Sequence, residues 1–516
     1  MQNEAELVRF LMTDPAAAQA AGTVATRDVV IHETHTAIVV LAGTNAYKLK
    51  RAITLPYLDF SDSERRWRAC LRELELNRRT APDLYLAARR ITRATDGGLE
   101  LDGDGPAVDS IVHMQRFADS DLLADLALRK QLSAPIMTQL ARDLARFHRD
   151  ALVSADPGGH ARIAAILDLN AKSEAGSARI LGTDAPLALG RLLRQQLSRH
   201  AELLDHRAGA GKVRLCHGDL HLGNICMWKG RAVPFDCLEF NDDMATTDVL
   251  YDLAFLLMDL WRYQEYRLAN LTMNRYMDET GDVQGLPLLP FFIALRASIR
   301  AQVLATQASM ADDNDHATRC TRQARQFLDL AFDVLQDRPA TLMAIGGLSG
   351  TGKSTLAMNL ADAIGPVPGA RVLSSDRIRK QLAGVPAETV LPAHSYTPEA
   401  SRKVYQEQVR RAGLVLATGH AVIADAVFSK IDERQAIEAC ASRHDVPFAG
   451  VWLEANADTL IERVDARVND PSDATADVVQ QQLARDPGPV DWIRISADNK
   501  PEQVASNVRE AIKRRQ

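Results

Sequence analysis

The run Gly347-Leu348-Ser349-Gly350-Thr351-Gly352-Lys353-Ser354 constrains this 516-residue chain more than any other stretch. It follows the apolar segment Thr341 to Ile345, a buried-type strand, and leads at once into a helix from Thr355. Glycines let backbone N–H groups turn inward around phosphates, a lysine reaches the β- and γ-phosphates, and a serine hydroxyl at a helix N-terminus coordinates magnesium. Gly347, Ser349, Gly350, Thr351, Gly352, Lys353, Ser354 and Thr355 are therefore the expected nucleotide-binding residues, with Ser354 also a metal ligand. The remainder alternates strands and helices as a parallel sheet requires. Val372 to Ser375 ends in Asp376, Ala421 to Ala424 ends in Asp425, and Gly450 to Leu453 and Ile493 to Ile495 complete the set. Carboxylates at the C-terminal ends of strands lie where an open α/β sheet binds ligand, so Asp425 is expected to hold magnesium through water and Asp376 to accept a hydroxyl proton.

A second stretch constrains the first half. Leu215-Cys216-His217-Gly218-Asp219-Leu220-His221-Leu222-Gly223-Asn224 is followed by Phe235-Asp236-Cys237, with Asp236 twelve residues after Asn224. Two carboxylates and an amide stand in the order that kinase-type phosphoryl transfer uses: one carboxylate to accept the proton of an attacking hydroxyl, an amide oxygen and a second carboxylate to hold Mg2+. Ile225 to Trp228 and Arg231 to Phe235 read as strands joined at Lys229-Gly230, a hairpin that returns Asp236 beside Asn224.

Two or three domains are the prior for this length, and Asp337-Arg338-Pro339 marks the boundary, giving 1–335 and 336–516. A hydrophobic fraction of 46% and a charged fraction of 25% describe a globular chain. The longest apolar run, Val249 to Trp261, is interrupted by Asp252 and Asp259 and is too short to span a bilayer, so no membrane partner is expected. Net charge of -6 and a pI near 6.1 argue against a general nucleic-acid binder. Six cysteines without zinc spacing suggest reduced thiols in a cytoplasmic setting.

Strand-like alternation runs through Val29 to His32, Thr36 to Leu41 and Ala46 to Lys50. Lys48 and Lys50 share one strand face, so spacing does not choose between them as the phosphate-binding lysine of a kinase-like hairpin. Ser61 to Arg79 has helical spacing, with Ser61 or Ser63 as the cap.

The first half resembles the aminoglycoside phosphotransferase family, relatives of the protein kinases whose catalytic loop reads His-Gly-Asp with Asn five residues after the Asp. The resemblance implies a bilobal protein-kinase-like fold, with a small lobe over about 1–115 and a large lobe over about 116–335. It makes Asp219 the catalytic base, Asn224 and Asp236 metal ligands and His217 a support for the loop. By family pattern Glu73, rather than Glu75, pairs with the phosphate lysine, and Met114 lies in the hinge strand Ile111 to Phe117 that meets adenine. It also implies that Asp252 braces the catalytic loop and that His148 is structural. The second half, with Ser-Ser-Asp-Arg-Ile-Arg, Val-Ile-Ala-Asp-Ala-Val-Phe and Ser472-Asp473-Ala474, resembles the small P-loop kinases near gluconate kinase and zeta toxin, three-layer α/β/α proteins with a parallel sheet. That makes Arg379 a substrate contact and Arg463 with Arg467 lid arginines, their i to i+4 spacing placing both on one helix face.

The two resemblances together match a bacterial fusion of a phosphotransferase-like domain with a P-loop ATP-binding domain. The expectation is a kinase with two ATP and Mg2+ sites acting on hydroxyl groups of small-molecule acceptors. The alternatives are a P-loop half that senses nucleotide and regulates the first half, or one that acts on nucleic-acid ends or nucleotide sugars.

Overall fold

The structure, a computed structural model, describes residues 2–21, 29–34, 36–55, 58–172, 174–311, 313–467 and 470–515. By packing, the chain forms two compact units, Met1–Ile166 with His200–Tyr263, and Leu167–Arg199 with Gln264–Gln516. This division differs from the linear one at 335/336, because helices expected in the large lobe of the first domain pack in the second unit.

In the first unit, strands β1 (Val30–Glu33), β2 (Ala37–Ala42), β3 (Asn45–Lys50), β4 (Tyr85–Arg93), β5 (Leu99–Leu101) and β6 (Ala107–Gln115) form an antiparallel sheet in the order β1-β2-β3-β6-β4-β5. The period-2 alternation of β3 sorts its side chains. Tyr47 and Leu49 pack with Leu7 and Leu11 of helix α1 (Gln2–Met12), which leaves Lys48 and Lys50 on the opposite face. There helix α2 (Ser63–Asn77) packs Cys70 and Leu74 against Val112 and Ala88. Its cap is Asp62, whose carboxylate accepts from the Arg65 N–H at 2.8 Å, and not Ser61 or Ser63. A carboxylate at this position both satisfies an orphan N–H and opposes the positive end of the helix dipole.

Three further elements frame the stretch Leu215 to Asn224. Helix α3 (Ala134–Asp150) buries Leu140, Leu144 and His148. Strands β7 (Ile225–Trp228) and β8 (Arg231–Pro234) make the expected hairpin, with Lys229 and Gly230 both at positive φ as a type I′ turn demands. Helix α4 (Val249–Arg262) is buried from Val249 to Trp261, so it has no polar face to keep in water.

In the second unit, helix α5 (Tyr266–Thr280) precedes helix α6 (Leu288–Met310). Among the described residues α6 alone is long and apolar enough to cross a membrane, and 78% of its apolar window is buried inside the protein. Strands β9 (Leu342–Gly347), β10 (Arg371–Ser374), β11 (Val422–Asp425), β12 (Phe448–Glu454) and β13 (Ile493–Ser496) form an all-parallel sheet in the order β10-β11-β9-β12-β13. Met343, Ile345, Ile423, Val451 and Leu453 face helix α7 (Lys353–Leu360) and the C-terminal helix Pro501–Arg515. On the other face Arg434 of helix Ile431–Arg443 lies over the Trp452 ring, so helices cover both sides, as a parallel sheet needs. All six cysteines are free and buried, four in the first unit and two in the second.

Candidate functional site

The first constellation is assembled by three elements. The turn before α4 returns the chain so that the Asp252 carboxylate accepts from the backbone N–H groups of His217 (3.2 Å) and Gly218 (2.8 Å), while His148 Nε2 lies 3.1 Å from it. Gly218 needs its glycine, because it sits at φ +83° and a Cβ would come within 2.9 Å of Leu238. The loop then presents Asp219, whose Oδ2 accepts from Asn224 Nδ2 at 2.9 Å and lies 3.5 Å from His221 Nε2. His221 Nδ1 accepts from the Gly223 N–H, so the ring proton is on Nε2 and points to Asp219. Because Asn224 commits its Nδ2 to Asp219, its Oδ1 is the atom left for a cation.

The hairpin β7–β8 sets Asp236 one residue beyond the pair formed by Phe235 N–H and Asn224 C=O (2.9 Å). Asp236 holds φ +61°, and its backbone is pinned by Tyr85 Oη (3.1 Å to its N–H), with Asn77 Oδ1 2.8 Å from the next N–H. Neither Tyr85 nor Asn77 was marked by the sequence, since both act across more than 140 residues through side chains that look like core and helix residues. His217 is fully buried, burial lowers its ring below the ordinary histidine range, and neither ring nitrogen has a partner among the described residues.

The two lysines, equivalent by spacing, differ in place. Lys48 Nζ lies 2.8 Å from Glu73 and 2.5 Å from Asp236; Lys50 Nζ lies 2.6 Å from Glu73 and 2.5 Å from Glu239. Glu75 instead pairs with Arg72. Burial works against both ammonium groups, but the carboxylates around them outweigh it and raise both. Glu73 is likewise held well below the ordinary glutamate range: burial opposes the charge, and the two lysines overcome it. Its stabilising contribution is therefore present above the unfolded value near 4.5 and is lost as pH falls below it. Thermal melts from pH 6 to pH 3 should show the first unit losing stability in this range, and a Glu73→Gln variant, with no such proton to gain, should show a flatter dependence. Met114 is half-buried near the end of β6, in the apolar cluster that also holds Val233 and Phe235.

The second constellation surrounds the glycine-rich loop. Gly347 (φ +134°) and Gly350 (φ +88°) approach the backbone so closely that a Cβ would meet Leu453 O at 2.5 Å and Leu460 O at 2.6 Å. Helix α7 begins at Lys353, two residues before the expected start, which puts Ser354 in its first turn and Thr355, exposed, just behind. Ser354 Oγ donates to Asp425 Oδ2 at 2.6 Å, and Lys353 Nζ donates to Leu348 O at 2.9 Å. Thr351 closes the loop on Leu348 O, and Ser349 is held from outside by Gln482, a residue unmarked in the sequence. Burial lowers Lys353 and raises Asp425 and Asp376; the attraction between Lys353 and each carboxylate opposes this, while the charge of Asp376 raises Asp425 further.

Two sequence expectations need correcting here. Asp376 is not the end of a strand: β10 stops at Ser374, and Asp376 lies in the first turn of helix α8 (Ser375–Leu382), where a carboxylate favours the positive helix end. Arg463 and Arg467 do not share a helix face, because helix Ala457–Asp465 ends before Arg467. Arg463 donates to Ala497 O at 2.9 Å, whereas the charge of Arg467 acts on Lys353 and Asp376. Arg467 Nη1 is buried without a partner among the described residues. Arg379 donates to Ser395 O at 2.7 Å and stacks on Tyr396, and its buried Nε has no partner among the described residues.

Hard oxygen ligands therefore stand at both centres, Asn224 and Asp236 at one, Ser354 and Asp425 at the other, and suit Mg2+. The glycine cradle of the second, which a Cβ would fill, fits a polyphosphate.

The family model described as "Phosphotransferase enzyme family" matches residues 57–276, and the model "AAA domain" matches 342–489. Uncharacterised proteins of Mycobacterium tuberculosis H37Rv and Mycobacterium bovis are each 30% identical over 470 residues, covering 90% of this chain and 90% of theirs. Among solved structures, the GDP complex of aminoglycoside 2'-phosphotransferase-IIIa aligns over 63% of this chain and 98% of its own, at 14% identity and a TM-score of 0.39. A gluconokinase from Sinorhizobium meliloti 1021 aligns over 35% and 94%, at 20% identity and a TM-score of 0.26. The chain belongs to the family of two-domain proteins, shared with these mycobacterial relatives along nearly the whole length, that join a kinase-type phosphotransferase domain to a P-loop kinase domain.

Proposed function

We propose that the chain is a phosphotransferase with two ATP and Mg2+ sites, each transferring the γ-phosphoryl group of ATP to a hydroxyl of a small-molecule acceptor. The observation that supports it is that one chain gathers, in two separate clusters, the residue types that phosphate, metal and base roles require. Asp219 with Asn224, Asp236, Lys48 and Glu73 is one, and Asp376 with Lys353, Ser354 and Asp425 is the other.

In the first site Asp219 accepts the acceptor's O–H proton as its oxygen bonds to phosphorus and the bond to ADP breaks. Asn224 and His221 orient the Asp219 carboxylate. Lys48, which stands between Glu73 and Asp236, is the phosphate-binding lysine of this reading, while Lys50, itself paired with Glu239, holds Glu73 from behind. Bound Mg2+ supplies charge neutralisation on the phosphates. In the second site the loop N–H groups and Lys353 bind phosphate, Asp376 takes the acceptor proton, and Arg467 stabilises the charge in transfer. Arg379 faces the acceptor. The free buried thiols fit a reducing, cytoplasmic setting.

ADP release is measured across sugars, polyols, nucleosides and aminoglycosides, with the parent chain, Asp219→Asn and Lys353→Ala. Each variant should lose turnover with one acceptor, by about 10²–10⁴-fold for the loss of a general base, and keep it with another. If no acceptor stimulates ADP release while ATP still binds, the two-kinase reading fails and a nucleotide-sensing P-loop half replaces it.

A further inference from the structure

The edge strand of the second unit's sheet is completed by side chains. Strand β10 borders β11 on one side only, which leaves outward backbone groups that an edge must satisfy or expose. Asn274 of α5 accepts from the Val372 N–H with Oδ1 (2.8 Å) and donates from Nδ2 to Ala370 O (3.1 Å). Its amide thus does what a neighbouring strand's peptide group would do. Asn270, one turn earlier, donates to Ala370 O (3.0 Å) and Pro368 O (3.1 Å).

One turn later Asp278 reaches past the strand to the helix after it. Its Oδ1 accepts from the buried guanidinium of Arg371 at 2.5 Å, its Oδ2 lies 3.5 Å from Arg377 Nη1, and its carbonyl accepts from Gln381 Nε2 at 2.9 Å. Burial opposes the Asp278 charge, but Arg371, Arg275 and Arg377 outweigh it and hold the carboxyl down at about 2. Arg377 and Gln381, four apart, mark the face of α8 that Asp278 grips. Asp376, Arg379 and Lys380 lie at i, i+3 and i+4 on a different face, and Asp376 interacts there with Lys353, Arg467 and Ser472. We propose that Asn274 and Asp278 are positioning residues of the second site: α5 fixes β10 and α8, and so sets the place of Asp376 relative to the phosphate loop. This rests on the reading of Asp376 as the base of that site. Most of α5 falls within the span matched by the phosphotransferase family model, so sequence of the first domain serves the chemistry of the second.

The test uses the full chain with Asp219→Asn, so that consumption of Mg-ATP, with water as acceptor, reports the second site. Into it are placed Asp278→Asn, Asp278→Glu, Asn274→Ala and Arg377→Gln. Hydrogen exchange of residues 371–382, binding of a fluorescent ATP analogue and the kcat and KM for ATP are measured. Asp278→Asn should lower kcat about fivefold or more, leave analogue affinity and KM within about twofold, and speed exchange in α8 about tenfold, with Asp278→Glu restoring most of both. Where Asp278→Asn does not fold, Arg377→Gln removes only the outer contact and should shift kcat and α8 exchange in the same direction. Unchanged kcat and exchange overturn the proposal, as does a kcat loss that follows ATP affinity and global melting together. If the parent consumes no ATP at this site, the reading of function fails, and the exchange data alone decide whether α5 holds α8.

Discussion

Lys50→Met will unfold the first unit well below the parent's melting temperature, while Lys48→Met will stay close to it and lose turnover instead. The Lys50 side chain is 1% exposed and neutralises Glu73, 0% exposed, together with Glu239. Removing it leaves three carboxylates, those of Glu73, Glu239 and Asp236, around the one ammonium of Lys48. Breaking a buried pair from one side costs about 3–5 kcal/mol, which lowers melting by about 10 °C in a unit of this size. Lys48 is more open, at 13%, and beside Asp236. On the proposed function its loss removes a hydrogen-bond donor to the phosphates, an effect of about 10²–10³-fold on kcat. Differential scanning calorimetry and acceptor-dependent ADP release on both variants check this. If Lys48→Met melts early and Lys50→Met loses only activity, the roles are reversed.

Gly347→Ala will weaken nucleotide binding at the second site by at least about 30-fold. Its φ of +134° is open to glycine alone, and its Cβ would sit 2.5 Å from the carbonyl of Leu453 on the neighbouring strand. That oxygen belongs to β12, whose residues pair with β9 along its whole length, so the strand cannot move aside cheaply. Either the loop leaves its cradle or the sheet opens; the strain is about 3 kcal/mol or more. Titration with a fluorescent ATP analogue should show at least about 30-fold weaker binding, with Lys353→Ala as the comparison that removes charge without backbone strain. Binding within a few-fold of the parent would mean that the loop tolerates a Cβ and that its glycines are not packing requirements.

What was legible in the sequence was local. The Lys229-Gly230 turn, the alternation of β3 and the strand–loop–helix at Gly347 to Ser354 are each written in a few consecutive residues, and the structure has them there. Local signals fail where neighbours compete. Ser61, Asp62 and Ser63 are all cap residues, and only the phase of α2 against the sheet selects Asp62. Arg463 and Arg467 carry helical spacing, yet the helix stops at Asp465, so spacing without a helix says nothing about a shared face. The difference between Lys48 and Lys50 was illegible because it comes from Asp236 and Glu239, each more than 180 residues away. The partnership of α5 with β10 was illegible for the same reason: its asparagines, about 100 residues from the strand they pair with, look like ordinary helix polar residues until the edge is beside them.

The buried cysteines turn the folded chain into its own timer. Burial pushes the thiols of Cys70, Cys226 and Cys237 up to about 12, and raises Cys216 and Cys440 as well, so at neutral pH none of these presents a thiolate to an alkylating reagent. Modification waits for an opening of the protein, and its rate counts those openings. Four of the six sulfurs belong to the first unit and two to the second, so the positions labelled first name the half that breathes.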